Sequence, residues 1–304
     1  MADAILKWDV TGKIPVTDGV AVCDAVSRIV QLVYPDVSTA SLRTAFVLHD
    51  RIYEGRHPDY HACETGYHDK RHVLDVTLAA ARLLHGHEMI YRDSPKERLG
   101  ADLMRVGILV ALFHDVGYIR HREDRKHFHG AQLTKTHVSR GADFLSGLLP
   151  LVGFDEYANI GHWLVHYTGY EVAPDDIPLQ DHRLKRLGAL IGTADIMAQM
   201  ASDDYLEKCR DELFKEFELG GATVALTSEG EKQVLYSSGE DLLKKTPGFM
   251  SKTLEDRLEG TFGGCYRFVE YHFGGRNPYM EAIDANRDRI RKALESGDTR
   301  LQNN

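Results

Sequence analysis

Apolar residues recur at three- and four-residue spacing over most of this 304-residue chain, and that period confines it to a helical architecture. Ala21, Ala25, Ile29 and Val33 share one face, as do Val73, Val76, Ala80, Leu83 and Leu84, and then Leu103, Val106, Val110 and Phe113. The spacing returns in Leu184, Leu187, Ile191, Ala194 and Ala198, and near the end in Met280, Ile283, Ile290 and Leu294. Residues 107–113 and 187–197 are apolar almost all round, which marks them as central helices buried on every side. Turn-forming strings such as RDSP (92–95) and PDDIP (174–178) separate the helices. One region departs from the period: TVAL (223–226) and KQVLY (232–236) read as a small β-hairpin. The expected fold is all-α, a helical bundle over residues 18–215 that holds the site. A short N-terminal segment (1–17) precedes it, and a C-terminal extension (216–304) with the hairpin packs on it.

Charge and cysteine usage narrow the function. Lys plus Arg total 37 against 46 Asp plus Glu, a formal charge of −9, which lacks the basic face that extended nucleic acid requires. A small phosphorylated substrate stays open, because bound divalent metals reverse the field locally. Cys23, Cys63, Cys209 and Cys265 lie far apart, with no CxxC pair, so neither a zinc ribbon nor a disulfide framework is expected. The first twenty residues lack a basic stretch followed by an apolar one, and the longest apolar run, 106–113, is far too short for a bilayer. The expectation is a cytoplasmic protein, with homo-oligomers allowed.

Fourteen of the sixteen histidines crowd into the span from His57 to His182. His72 stands one residue before an apolar stripe. His114-Asp115 ends the apolar run ILVALF, where two adjacent ligands converge most readily because the helix is ending, and Gly117 suits that ending. Asp195 lies inside GALIGTADIMAQM, where an ionised carboxylate costs several kcal/mol unless paired or metal-bound. Three buried helices thus each deliver a ligand-type side chain to the interior. Imidazole with carboxylate suits Zn²⁺, Mn²⁺ or Fe²⁺ better than Ca²⁺ or Mg²⁺ alone.

The ordered set His72, His114-Asp115 and Asp195 resembles the H…HD…D signature of the HD-domain metal-dependent phosphohydrolases, an all-helical superfamily. YHDKRHVLDVT (67–77) is similar to the YHNxxHxxDVT motif of the cyclic-nucleotide phosphodiesterases within it, with Asp69 in place of Asn. HDVGY (114–118) instead resembles bacterial HD proteins. The resemblance covers roughly residues 60 to 200. It implies that His72, His114, Asp115 and Asp195 bind a first metal, that Asp115 bridges to a second, and that His68 is a proton donor. It also implies two further histidine ligands: His137, and either His166 or His162 from HWLVH, with His166 preferred for the Tyr-Thr-Gly turn after it. The cofactors are then two divalent ions among Mn, Fe, Zn and Mg, and the substrate a nucleotide phosphodiester.

Competing readings attach to the same residues. HWLVH has the His spacing of a zincin helix but no Glu to act as base. His121, His127 and His129 sit in a stretch rich in Arg, Lys and acids that reads as a polar loop, and Asp75 reads as a partner of a ligand or a surface charge. Some HD-fold proteins with six ligands in this order are mixed-valent di-iron oxygenases, and a catalytically silent nucleotide-sensing module is a third class. The YHDKRH string favours hydrolysis, because an oxygenase has no use for a leaving-group acid.

Overall fold

The apolar run 107–113 occupies the place its composition demands: in the computed structural model every residue from Val106 to Phe113 is fully buried. The structure describes residues 7–226 and 230–298. The helices are α1 (Gly19–Val33), α2 (Ala40–Tyr53), α3 (Lys70–Ile90), α4 (Ala101–Phe113), α5 (His137–Leu151), α6 (Ala158–Leu164) and α7 (His182–Ala201). After them come α8 (Tyr205–Glu207), α9 (Phe214–Leu219), α10 (Gly239–Lys252), α11 (Phe268–His272) and α12 (Pro278–Ser296). Helix starts follow side-chain chemistry. Asp18, Asp69 and Asp181 each accept from a backbone N–H in the first turn of α1, α3 and α7, satisfying donors that a helix leaves unpaired.

Helices α3 and α7 form the centre. They pack on each other, α1, α4 and α11 cover α3, and α4, α6 and α12 cover α7. Among the described residues the chain is all-α apart from one antiparallel hairpin, β1 (Val224–Leu226) with β2 (Lys232–Val234), in which Val224 faces Val234. The hairpin lies where the sequence places it, though residues 227–229 of its turn fall outside the described residues.

Helix α3 starts at Lys70, with Asp69 in an extended conformation before it, so His68 belongs to the turn that precedes the helix. Around residue 215 the chain is continuously helical: α8 runs through a widened π-helical stretch, Lys208–Leu213, straight into α9. Among the described residues no helix is long and apolar enough to cross a membrane.

Candidate metal centre

The end of α4 brings the HD pair together. His114 keeps helical dihedrals (φ −59°, ψ −36°), whereas Asp115 drops into the bridge region (φ −100°, ψ 7°) and swings its carboxylate back beside the ring. His114 Nε2 and Asp115 Oδ2 are 3.1 Å apart. His72, from the first turn of α3, places its Nε2 3.4 Å from the same Asp115 oxygen and 3.3 Å from Asp195 Oδ1 of α7, and His114 Nε2 is 3.7 Å from that Asp195 oxygen. His72, His114 and Asp115 are buried, and their ligand atoms lie within 4.8 Å of one another, a group able to hold a metal ion. Among the described residues Asp195 forms ion-pair contacts with these two histidines and with no arginine.

The donor chemistry fits a cation at the centre of this group. His114 Nδ1 donates to the Ala111 carbonyl at 2.8 Å, which leaves Nε2 with its lone pair facing a carboxylate oxygen. Both His114 Nε2 and Asp115 Oδ2 are buried without a hydrogen-bond partner. Two facing lone pairs in an apolar interior repel unless something positive joins them. Burial opposes charge on His114, yet Asp115 and Asp195 outweigh it and raise its pKa to about 9; in the ion's place the site would take a proton. Asp115, despite its burial, is held well below the carboxylate range by His114 and His68.

His137 opens α5 and approaches from the other side. Its Nδ1 donates to Thr134 O at 2.7 Å, and its Nε2 lies 3.7 Å from Asp115 Oδ1, the oxygen that His72 and His114 do not use. Burial pushes its pKa down, although Asp115 pulls the other way, so the ring is the neutral form a metal requires. The reason for Gly117 also emerges. Its φ is not positive; instead a Cβ there would lie 1.8 Å from His137 O, so only glycine lets the start of α5 come this close.

His162 and His166 stand apart. His162 contacts Ser146 Oγ at 3.3 Å and Asp143 at 3.9 Å, while buried His166 meets the rings of Trp163 and His162. Neither makes a hydrogen bond, ion pair or ring contact with Asp115 or Asp195 among the described residues. His166 Nδ1 is nevertheless buried without a partner.

His68 reaches the site from its turn. Its ring stacks on Tyr118 (4.6 Å between centroids, 17°), which stacks on His137 (4.3 Å, 21°). Its Nδ1 binds Glu216 Oε2 at 2.6 Å, and Glu216 Oε1 accepts from the backbone of Tyr67 (2.6 Å) and His68 (3.2 Å). Burial opposes a charge on His68, but Glu216 and then Asp115 prevail and raise its pKa. Glu216 is correspondingly lowered: burial works against its charge, and His68 overcomes it. Sequence reasoning missed Glu216. It lies in the polar-looking string FKEFELGG, past residue 215, and its one signal is an acid between Phe214 and Phe217.

The residues around the pair take humbler roles. Arg120 forms a bidentate pair with Glu64, His127 pairs with Asp124, and His129 caps a helical turn, so the 120–129 stretch is the polar loop expected. Asp75, pushed up to about 7 by burial, shares a cavity of about 20 Å³ with His72. A far larger cavity of about 500 Å³ opens on Asp115, Asp195, His68 and His137 and is walled beyond them by Phe217 and Phe249. No family model and no curated protein matches the chain.

Proposed function

We propose that the chain is a metal-dependent phosphohydrolase that cleaves a nucleotide phosphodiester at a two-metal centre bridged by Asp115. The observation that carries this reading is the division of the Asp115 carboxylate, with Oδ2 turned to His72 and His114 and Oδ1 to His137. A carboxylate serving one ion needs no imidazole on its second oxygen. His72, His114, Asp115 and Asp195 would hold the first ion. Asp115 and His137 would hold the second, with His166, whose Nδ1 is unclaimed, preferred over His162 as the remaining ligand. Two bound divalent ions of the Mn, Fe, Zn or Mg type polarise phosphoryl oxygens and make a neighbouring water more acidic.

The chain's own residues supply the rest. His68, kept protonated by Glu216 at Nδ1, has Nε2 left to give its proton to a departing alkoxide. Tyr118 fixes the plane of that ring, and the two backbone N–H groups on Glu216 fix the carboxylate. A cavity of about 500 Å³ lies in the size range of small-molecule sites and admits a nucleotide.

The test is a panel of nucleotides and bis(p-nitrophenyl) phosphate, offered to protein stripped and reloaded with each of the four metals. Metal-dependent hydrolysis is expected, together with loss of metal and activity in His114→Ala and Asp115→Ala and a lower melting temperature as bound metal is lost. Protein that binds no metal and gains no activity from any of them overturns the proposal. Iron content with O₂ consumption and no ester cleavage assigns the centre to an oxygenase instead.

A further inference from the structure

The cavity of the proposed phosphohydrolase continues away from the ligand cluster along a wall made by the C-terminal segments, and this wall carries an arginine with no acidic partner. Arg257 belongs to Thr253–Thr261, a widened π-helical stretch that prolongs α10. Its Nη2 donates to the carbonyls of Tyr167 (2.8 Å) and Gly169 (3.3 Å), and its guanidinium lies over the rings of Tyr170 (4.5 Å) and Phe262 (5.1 Å). These contacts pin the fork while using one of its three nitrogens. It forms no ion pair with any described carboxylate, and its other donors remain accessible. Arg71 and Arg120, by contrast, are each closed by a bidentate carboxylate, Asp204 and Glu64.

The two carbonyls locate the guanidinium. A Cβ on Gly192 would come within 2.5 Å of Tyr167 O, and Gly192 precedes Asp195 by three residues on α7. A Cβ on Gly169 would come within 2.4 Å of Val138 Cγ2, and Val138 follows His137. Arg257 is thus anchored to backbone that lies about one helical turn, roughly 5 Å of rise, from a ligand on α7, and beside the residue next to a ligand on α5. Lys135, exposed and unpaired among the described residues, lines the same cavity. A pre-oriented guanidinium fork with free donors, in the same cavity as the ligand cluster, matches a phosphate or carboxylate.

We infer that Arg257 binds a second phosphoryl group of the substrate, so that the C-terminal extension selects a nucleotide carrying a phosphate in addition to the scissile ester. This rests on the phosphohydrolase reading for the word substrate, but the anion site itself does not. The test compares thymidine 5′-(p-nitrophenyl phosphate) with its 3′-phosphorylated counterpart, in wild type, Arg257→Gln and Arg257→Lys. Wild type should favour the 3′-phosphorylated ester by about ten-fold or more in kcat/KM, through KM. Arg257→Gln should bring the ratio near one, and Arg257→Lys should keep part of it. Calorimetry with thymidine 3′,5′-bisphosphate supplies a readout without turnover, in which Arg257→Gln binds about ten-fold more weakly. A wild-type ratio near one, or an unchanged ratio in Arg257→Gln, overturns the inference. If no ester is cleaved, the phosphohydrolase reading fails, and the calorimetry alone decides the anion site: weaker binding by Arg257→Gln upholds it, and equal binding removes it.

Discussion

Position 69 carries aspartate where the phosphodiesterase-like motif has asparagine, and the structure gives that residue a task both can perform. Asp69 Oδ1 accepts from His72 N at 2.8 Å and starts α3 so that His72 leads into the cluster. His68, just before it, is held by a different device, the buried carboxylate of Glu216. A general acid matters when the leaving group is a poor one such as a ribose alkoxide, where its loss costs about 10²–10⁴ in rate. An activated aryl oxide departs unaided. His68→Ala is therefore expected to cripple hydrolysis of the nucleotide while largely sparing an aryl phosphodiester, with metal content unchanged by elemental analysis. Glu216→Gln should show the same selectivity in milder form. It should also move the alkaline limb of the kcat profile to lower pH, because a His68 pKa raised by Glu216 falls when that charge is removed. Equal losses on both substrates would make His68 a structural or metal-holding residue.

At the level of elements, the junction from α4 to α5 sets the Asp115 carboxylate between His114 and His137. Helix α4 stops at Phe113, Asp115 turns back, and Gly117 admits the start of α5 so that His137 meets the free oxygen of Asp115. Gly117→Ala puts a methyl group 1.8 Å from a backbone carbonyl that cannot step aside. The expected result is about 1–3 kcal/mol of destabilisation in urea melts and a metal-to-protein ratio lowered by weakened binding at the His137 side. A variant as stable and as metal-rich as wild type would show that the approach of α5 is irrelevant to the site. Much of this was legible beforehand, since His72, His114, Asp115 and Asp195 are polar residues in or beside apolar helical stripes, where burial needs a reason. The role of Gly117 was legible only as a helix stop, because a close approach depends on what packs there. Glu216 left only the faint signal of an acid between Phe214 and Phe217, and Arg257 left none. They stand on partly exposed-looking helices and acquire meaning only when α9 and the stretch after α10 fold over the cavity.

Across the whole molecule, a buried ion pair and a hydrogen bond made by one arginine tie Asp9 and helix α12 to the central helix α3. Arg82 of α3 donates to Asp9 Oδ2 at 2.6 Å and to the Tyr279 hydroxyl of α12 at 2.7 Å, with the Asp9 side chain fully buried and that of Arg82 4% exposed. Asp9 is held further by the backbone N–H groups of Lys13 and Ile14. Removing one partner of such a pair leaves a buried charge uncompensated, so Arg82→Met should cost about 3–5 kcal/mol at neutral pH, and Asp9→Asn combined with Arg82→Met should recover part of it. The pH dependence has a definite sign. Burial raises the Asp9 pKa but Arg82 outweighs it, so the folded value lies below the usual 3.8. The stability the pair contributes is present above that unfolded value and is lost as pH falls through the folded one. Asp204, lowered to about 2 by Arg71 against its own burial, loses its contribution in the same direction, between about pH 4 and 2. In Arg82→Met the lone Asp9 charge is instead a liability that protonation relieves. Melting temperatures of wild type and Arg82→Met should therefore converge as the pH drops from 7 toward 3, while Arg71 and Asp204 continue to acid-sensitise both proteins. A gap independent of pH would mean that Arg82 acts through packing on Phe273 and Tyr279 and not through its charge.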